Sequence, residues 1–180
     1  MNGKPYYPNV LLVSGTGRNV GKTSLACRVI EKLHGTQRIT AVKISPHLHE
    51  VNSGEALCAK YGQYAIFREE VKNQAKDSSR LLTAGARRVF YMQAIDNCLP
   101  EAWSKLREWL EAEEPVIIES GGIHKIINPG CTLFLGGGSK TGDKPEETEY
   151  PVQHVHGFDD HEQIVSAVDF KEGHWKIIKQ

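Results

Sequence analysis

One stretch, VSGTGRNVGKTS at residues 13–24, most constrains the fold of this chain of 180 residues. It follows an apolar, branched run at residues 9–14, NVLLVS, which is typical of a strand buried on both faces. From Thr23 to Leu33 the apolar residues recur with helical spacing. A glycine-rich turn between a strand and an amphipathic helix is the setting of a phosphate-binding loop. The stretch therefore predicts a site for a phosphorylated ligand.

The spacing of this loop departs from the common phosphate-loop pattern by one residue. The pattern places its first glycine five positions before the glycine of Gly-Lys, where this chain has Thr16 between two glycines. A longer variant of the loop accounts for both glycines, and a turn with an incidental Gly-Lys-Thr is the alternative. We predict that phosphate is bound by Gly15, Thr16, Gly17, Asn19, Val20, Gly21, Lys22, Thr23 and Ser24.

The residue types of the loop suit a nucleoside triphosphate. Glycines allow backbone N–H groups to face inward, and a helix N-terminus adds partial positive charge. Lys22 can place its ammonium against the β- and γ-phosphates, and the Thr23 hydroxyl can serve as a ligand of Mg²⁺.

The rest of the chain alternates between strand and helix patterns. Strands are predicted at residues 39–45, 88–92, 115–119, 131–135 and 174–178, and helices at 76–85, 99–114 and 160–169. An edge strand or hairpin is predicted at 62–70 and a polar loop at 136–151. We expect a single domain over residues 1–180, with a three-layer α/β fold of the P-loop NTPase type and a mostly parallel sheet.

Composition narrows the class of partner. Lysine plus arginine equals aspartate plus glutamate at 22 each, which argues against bulk electrostatic binding to nucleic acid or an anionic membrane. No apolar run approaches the ~20 residues that span a bilayer. The four cysteines form no C-x-x-C pair, so we expect reduced thiols in a cytoplasmic protein.

Two charged residues stand at the predicted ends of strands. Glu119 ends PVIIE and precedes Ser-Gly-Gly, so it is the candidate carboxylate for holding Mg²⁺ or polarising the attacking group; the alternative is an ordinary strand-end acid. Lys43, near the end of the second strand, is a candidate for binding a phosphate or substrate oxyanion, or is simply solvated.

Three further segments carry a family resemblance. VKISPHLHE at 42–50, KDSSRLLTAGARRV at 76–89 and PVIIESGG at 115–122 follow the phosphate loop in order. Together the segments resemble the molybdopterin-guanine dinucleotide biosynthesis protein B family over residues 9 to about 122. The elongated loop itself resembles that of dethiobiotin synthetase, whereas the loop of the first family is shorter.

The resemblance implies a P-loop α/β fold, a homodimer, and binding and weak hydrolysis of GTP with Mg²⁺. It also implies a molybdopterin nucleotidyltransferase as partner. Lys43, Asp77 and Glu119 would line the magnesium or substrate side, with Lys22, Glu119 and Asp77 catalytic and Thr23 and Glu119 on the metal.

Several features leave the substrate open. No Asn-Lys-x-Asp guanine motif is present, so the sequence does not choose between GTP and ATP. His47, His49 and Glu50 form either a metal or anion site or a polar loop. Two other functions therefore remain: an ATP-dependent synthetase that activates a carboxylate, and a nucleotide-gated adaptor to a partner enzyme.

Overall fold

A computed structural model describes residues 3–17, 19–50, 55–72, 75–136, 152–155 and 158–178. Four helices lie in these ranges: α1 (Lys22–Leu33), α2 (Asp77–Thr83), α3 (Leu99–Arg107) and α4 (Phe158–Ala167). The strands are β1 (Tyr6–Gly15), β2 (Thr40–Ser45), β3 (Glu55–Tyr61), β4 (Tyr64–Glu69), β5 (Arg88–Ala94), β6 (Val116–Glu119), β7 (Asn128–Leu135), β8 (Val152–Val155), β9 (Val168–Lys171) and β10 (His174–Ile177).

The main sheet has eight strands in the order β3-β4-β5-β2-β6-β1-β7-β8. From β5 to β8 every neighbouring pair is parallel, and β4 runs antiparallel to both β5 and β3. A separate two-stranded sheet pairs β9 with β10. The predicted α/β fold with a mostly parallel sheet is confirmed.

Hydrophobic cores lie on both faces of the sheet, which makes the three layers. On one face Leu11 and Val13 of β1 pack in a cluster with α1, α2 and Trp175 of β10. On the other face Val10 and Leu12 of the same strand pack in a cluster with α3. Successive residues of a strand point to opposite faces, so an unbroken apolar run such as NVLLV must be covered on both sides. No described helix is long and apolar enough to cross a membrane.

The structure differs from the sequence expectations at the sheet edges. The segment at 62–70 is the second half of a hairpin, whose first strand β3 was not predicted, and Gly62 with φ +49° makes the turn. Strand β8 was not predicted either. Of the predicted polar loop at 136–151, residues 137–151 lie outside the described residues.

Helix α3 ends seven residues before the predicted end at 114. After Arg107 the backbone N–H groups of Glu108, Trp109 and Leu110 donate to the carbonyl oxygens three residues earlier, which tightens the last turn into 3₁₀ geometry. The following segment leads to β6 and buries Glu114, whose carboxylate pairs with Arg88. The tertiary requirement for this ion pair outweighs the helical periodicity of the sequence.

The glycine that ends β1 is explained by close packing between strands. Gly15 pairs with Leu135 of β7, and a Cβ built on Gly15 would lie 2.3 Å from the Leu135 carbonyl oxygen. A backbone atom cannot move aside as a flexible side chain can. A side chain at this position would therefore separate β1 from β7 just where the loop begins.

Gly15→Ala is expected to lower the free energy of unfolding by about 1–3 kcal/mol because of this overlap. Urea denaturation measures the change. The matched control is Gly121→Ala, where an added Cβ meets no heavy atom within 4 Å. Equal losses in the two variants would contradict the packing explanation.

Candidate functional site

The predicted site residues meet at the carboxyl ends of the parallel strands, where open α/β sheets bind ligands. A cleft of about 710 Å³ lies there, between the loop after β1 and the segment after β2. Its described lining contains most of the predicted residues: Gly15, Gly17, Asn19, Gly21, Lys22, Thr23, Ser24, Lys43, Asp77 and Glu119. Two predicted loop residues are not in this lining. Thr16 donates its N–H to the Leu135 carbonyl oxygen at 3.1 Å, and Val20 packs against the core on the α1 face.

The loop between β1 and α1 is built from left-handed backbone. Gly17, Asn19 and Gly21 have φ angles of 106°, 60° and 96°. Glycine adopts this conformation at little cost and asparagine is among the residues that tolerate it best. The longer spacing therefore has a structural reason, since Gly15 serves strand packing and Gly17 supplies the first left-handed turn.

The N-terminus of helix α1, which follows this loop directly, has no side-chain cap. Gly21 is the N-cap residue, no side chain caps the helix, and the first turn holds no acidic residue. The first N–H groups of a helix have no partner within it and attract anions. Lys22 adds an ammonium that donates to the Gly17 carbonyl oxygen. Burial, aided by Lys43, lowers the pKa of Lys22 below its usual value, against the opposing effects of Glu119 and Asp77.

Strand register brings Lys43 and Glu119 together. β6 lies between β1 and β2, and Lys43 is the direct cross-strand neighbour of Glu119. The Lys43 ammonium forms a close ion pair with Glu119 Oε1, and the Thr23 hydroxyl donates to Glu119 Oε2 at 2.8 Å. Only 3% of the Glu119 side chain is exposed. Both oxygens of this buried carboxylate therefore have partners, as burial of a charge requires.

Asp77 enters the same network from the start of α2. Its Oδ2 lies 3.0 Å from the Lys43 ammonium. Burial alone would raise the pKa of Asp77, but Lys43, Thr23 and Arg80 outweigh burial and hold the pKa below its usual value. For Lys43, burial alone would lower the pKa, and the two carboxylates reverse that effect and raise it. Lys43 and Asp77 are thus both held in their charged forms.

Two residues that the sequence did not single out support the site: Arg80 lines the cleft, and His161 packs against the loop. Arg80 lies on the same side of α2 as Asp77, contacts its carboxylate at 3.5 Å and donates to Ser24 Oγ at 3.0 Å. Its spacing of three residues from Asp77 on a predicted helix could have identified it. His161 of α4 is buried beneath the loop, since a Cβ on Gly21 would meet its ring at 3.4 Å. No local sequence pattern connects His161 with Gly21.

The segment after β2 forms one wall of the cleft. His47 and His49 line it, with ring centroids 6.0 Å apart, and the His49 N–H donates to Gln93 Oε1 at 2.9 Å. Within the described ranges no three His, Cys, Asp or Glu side chains cluster as a metal site. Oxygen donors for a cation do converge elsewhere in the cleft, at Thr23, Asp77 and Glu119.

This oxygen set suits Mg²⁺. The ion prefers hard oxygen ligands and is commonly bound by one or two carboxylates together with phosphates and water. The two carboxylates already share one cation, the Lys43 ammonium, so the position is one that favours positive charge. Mg²⁺ would be held by Thr23, Glu119 and Asp77. The sequence analysis predicted the first two of these as metal ligands.

Stability should fall with acid in a way that depends on Asp77. A carboxylate whose pKa is lower in the folded state stabilises above its unfolded pKa, and this contribution disappears as pH falls through the folded pKa. Asp77→Asn is therefore expected to show a smaller decline in the free energy of unfolding than the wild type between about pH 5 and pH 2.

Urea denaturation at a series of pH values makes this measurement. Asp96→Asn is the control, because Asp96 belongs to an exposed ion pair with Lys125 and such pairs contribute little. The same decline in Asp77→Asn and wild type would show that Asp77 is not held charged by its neighbours.

Comparison with known proteins assigns no family to the chain: no protein-family model, curated protein or solved structure matches it. The resemblance to the molybdopterin-guanine dinucleotide biosynthesis protein B family and to the dethiobiotin synthetase loop therefore rests on the quoted sequence segments and stays a prediction. The arrangement of the cleft is the basis on which function is argued below.

Proposed function

We propose that the chain binds a Mg²⁺–nucleoside triphosphate, GTP or ATP, and hydrolyses it slowly. The observation that carries the proposal is that three features lie in one cleft. They are the uncapped α1 N-terminus, the Lys22 ammonium and the hydrogen-bonded pair of Thr23 and Glu119. The first two features suit phosphate and the third suits its metal ion. A triphosphate with Mg²⁺ is a ligand that uses all of them.

Each group has a role in this binding mode. Loop and helix N–H groups would cradle the β-phosphate, and Lys22 would move from the Gly17 carbonyl to the β- and γ-phosphates. Thr23, Asp77 and Glu119 would hold Mg²⁺, which neutralises charge on the transferring phosphoryl group. Arg80, fixed by Asp77 and Ser24, adds a positive charge at the rim of the cleft.

Slow turnover follows from how the carboxylates are engaged. Glu119 is buried and already accepts from Thr23 and Lys43, and Asp77 is held charged at low pKa. A carboxylate with a low pKa is a weak general base. Catalysis would then come mainly from positioning and electrostatic stabilisation by Lys22, Glu119 and Asp77.

The biological setting is carried over from the sequence resemblance. We place the protein in the cytoplasm, in molybdopterin guanine dinucleotide biosynthesis, as a homodimer that assists a molybdopterin nucleotidyltransferase. A thermal-shift panel with Mg-GTP, Mg-ATP and a pterin tests the ligand side, because stabilisation rises with ligand concentration relative to Kd.

A second candidate is an ATP-dependent synthetase, and an adjoining pocket favours it. This pocket of about 230 Å³ shares Lys43, His49 and Asp77 with the phosphate cleft, so a small second substrate would lie beside the phosphates. A synthetase releases ADP only when its carboxylic substrate is present, whereas an NTPase releases nucleoside diphosphate without such a substrate.

Lys22→Ala is expected to weaken triphosphate binding roughly 10- to 100-fold, because it removes a charge-assisted contact of about 1.5–3 kcal/mol. Isothermal titration calorimetry with a non-hydrolysable Mg-triphosphate measures the affinity. Lys60→Ala on the exposed face of β3 removes the same charge far from the cleft and is the control. Unchanged affinity in Lys22→Ala would overturn the phosphate-loop assignment.

Glu119→Gln should retain triphosphate binding and slow hydrolysis roughly 10- to 100-fold. The amide keeps the shape of the side chain but removes the negative charge that faces Lys43 and the metal ion. Single-turnover phosphate release measures the rate, with the exposed Glu108→Gln as a control. Equal rates in Glu119→Gln and wild type would show that Glu119 has only a structural role.

A further inference from the structure

The cation that bridges the two candidate metal-binding carboxylates is a lysine of the chain itself. The Lys43 ammonium pairs with Glu119 Oε1 and with Asp77 Oδ2, the latter at 3.0 Å. Glu119 Oε2 accepts from the Thr23 hydroxyl at 2.8 Å. One ammonium thus bridges the two carboxylates that would bind Mg²⁺.

A divalent ion would compete with the ammonium for these carboxylates. Mg²⁺ needs its ligands at about 2.0–2.1 Å and keeps an ordered shell of oxygens around itself. An ammonium held at hydrogen-bond distance from both carboxylates would lie within a few ångströms of the ion, where like charges repel strongly. This repulsion favours exchange of one cation for the other.

We propose that Lys43 is a resident counter-cation that Mg²⁺ displaces from Asp77 and Glu119. Lys43 is a positioning residue in this role: without metal it keeps two neighbouring carboxylates charged and close together. Metal entry breaks both ion pairs and releases the ammonium toward the ligand. This inference rests on the proposed function, since it concerns the metal of that same site.

The structure leaves room for the displaced side chain. Lys43 lines both the 710 Å³ cleft and the adjoining 230 Å³ pocket, and 19% of its side chain is exposed. β2 is paired on both sides, with β5 and β6, so its backbone is held in place. The ammonium can therefore leave by side-chain rotation while β2 stays paired.

The first test measures Mn²⁺ affinity of the nucleotide-free protein by electron paramagnetic resonance, with Mn²⁺ standing in for Mg²⁺. Lys43→Met is expected to bind Mn²⁺ at least roughly tenfold more tightly than wild type, because the carboxylates lose their competing ammonium. Adding Glu119→Gln to this variant should remove the gain. Unchanged or weaker Mn²⁺ binding in folded Lys43→Met overturns the proposal.

Lys76→Met is the matched control, because Lys76 pairs with Glu55 at 3.4 Å and lines only the smaller pocket. It removes a nearby positive charge without emptying the position between Asp77 and Glu119, so its Mn²⁺ affinity should stay within about threefold of wild type. A gain equal to that of Lys43→Met would mean that general charge, and not displacement, governs metal binding.

A second measurement uses the wild-type chain and does not depend on any variant folding. The rate at which an amine-reactive acetylating reagent modifies Lys43, read by mass spectrometry, should rise severalfold when Mn²⁺ saturates the site. A rate that does not change with Mn²⁺ bound overturns the proposal. Neither test contains nucleotide, so failure of the triphosphate proposal, measured with Lys22→Ala, is a separate result.

Discussion

The parallel pairing of β6 between β1 and β2 determines where Lys43 and Glu119 lie in the cleft. Each of these strands is buried on both faces, and alternate residues go to opposite cores. In β6, Ile117 packs on the α1 face, so Glu119 reaches the same face two residues later. Lys43 follows Ala41 in β2 by the same rule. A shift of one residue in register would send both charges to the α3 side, away from Thr23.

The loop depends on this sheet in turn. Gly15 closes β1 against Leu135 of β7, and the chain then needs left-handed residues to turn into α1. The helix that follows begins with an uncapped N-terminus over the strand ends, and its second residue, Thr23, meets Glu119. This strand–loop–helix unit therefore positions the uncapped N-terminus of α1 and brings Thr23 to the Glu119 carboxylate of β6.

Much of this arrangement could be predicted from local sequence. The loop residues and Glu119 follow from strand and helix periodicity, because carboxyl ends of parallel strands share one edge of a sheet. Asp77 was inferred from a family resemblance, and its contact with Lys43 confirms only that the two lie together. What the sequence could not provide are contacts between elements far apart in the chain: Arg80 with Ser24, and His161 with Gly21.

The sheet edge was missed for a different physical reason. β3 pairs with one neighbour only and leaves Leu57 and Tyr61 more than half exposed. Its apolar residues therefore do not report a buried face, and period-two patterning carries little information there. The predicted end of α3 at residue 114 was wrong. The Arg88–Glu114 ion pair is a tertiary contact, which helical periodicity in the sequence cannot report.

The balance of charge in the cleft explains why metal and phosphate would bind together. Its described lining holds three basic side chains, Lys22, Lys43 and Arg80, and the two carboxylates of Asp77 and Glu119. While Lys43 is paired with those carboxylates, its positive charge offsets their negative charge. A divalent ion in its place would neutralise both carboxylates and would leave the ammonium for the ligand. The cleft would then gain two positive charges next to the α1 N-terminus, a change that would favour binding of the proposed triphosphate.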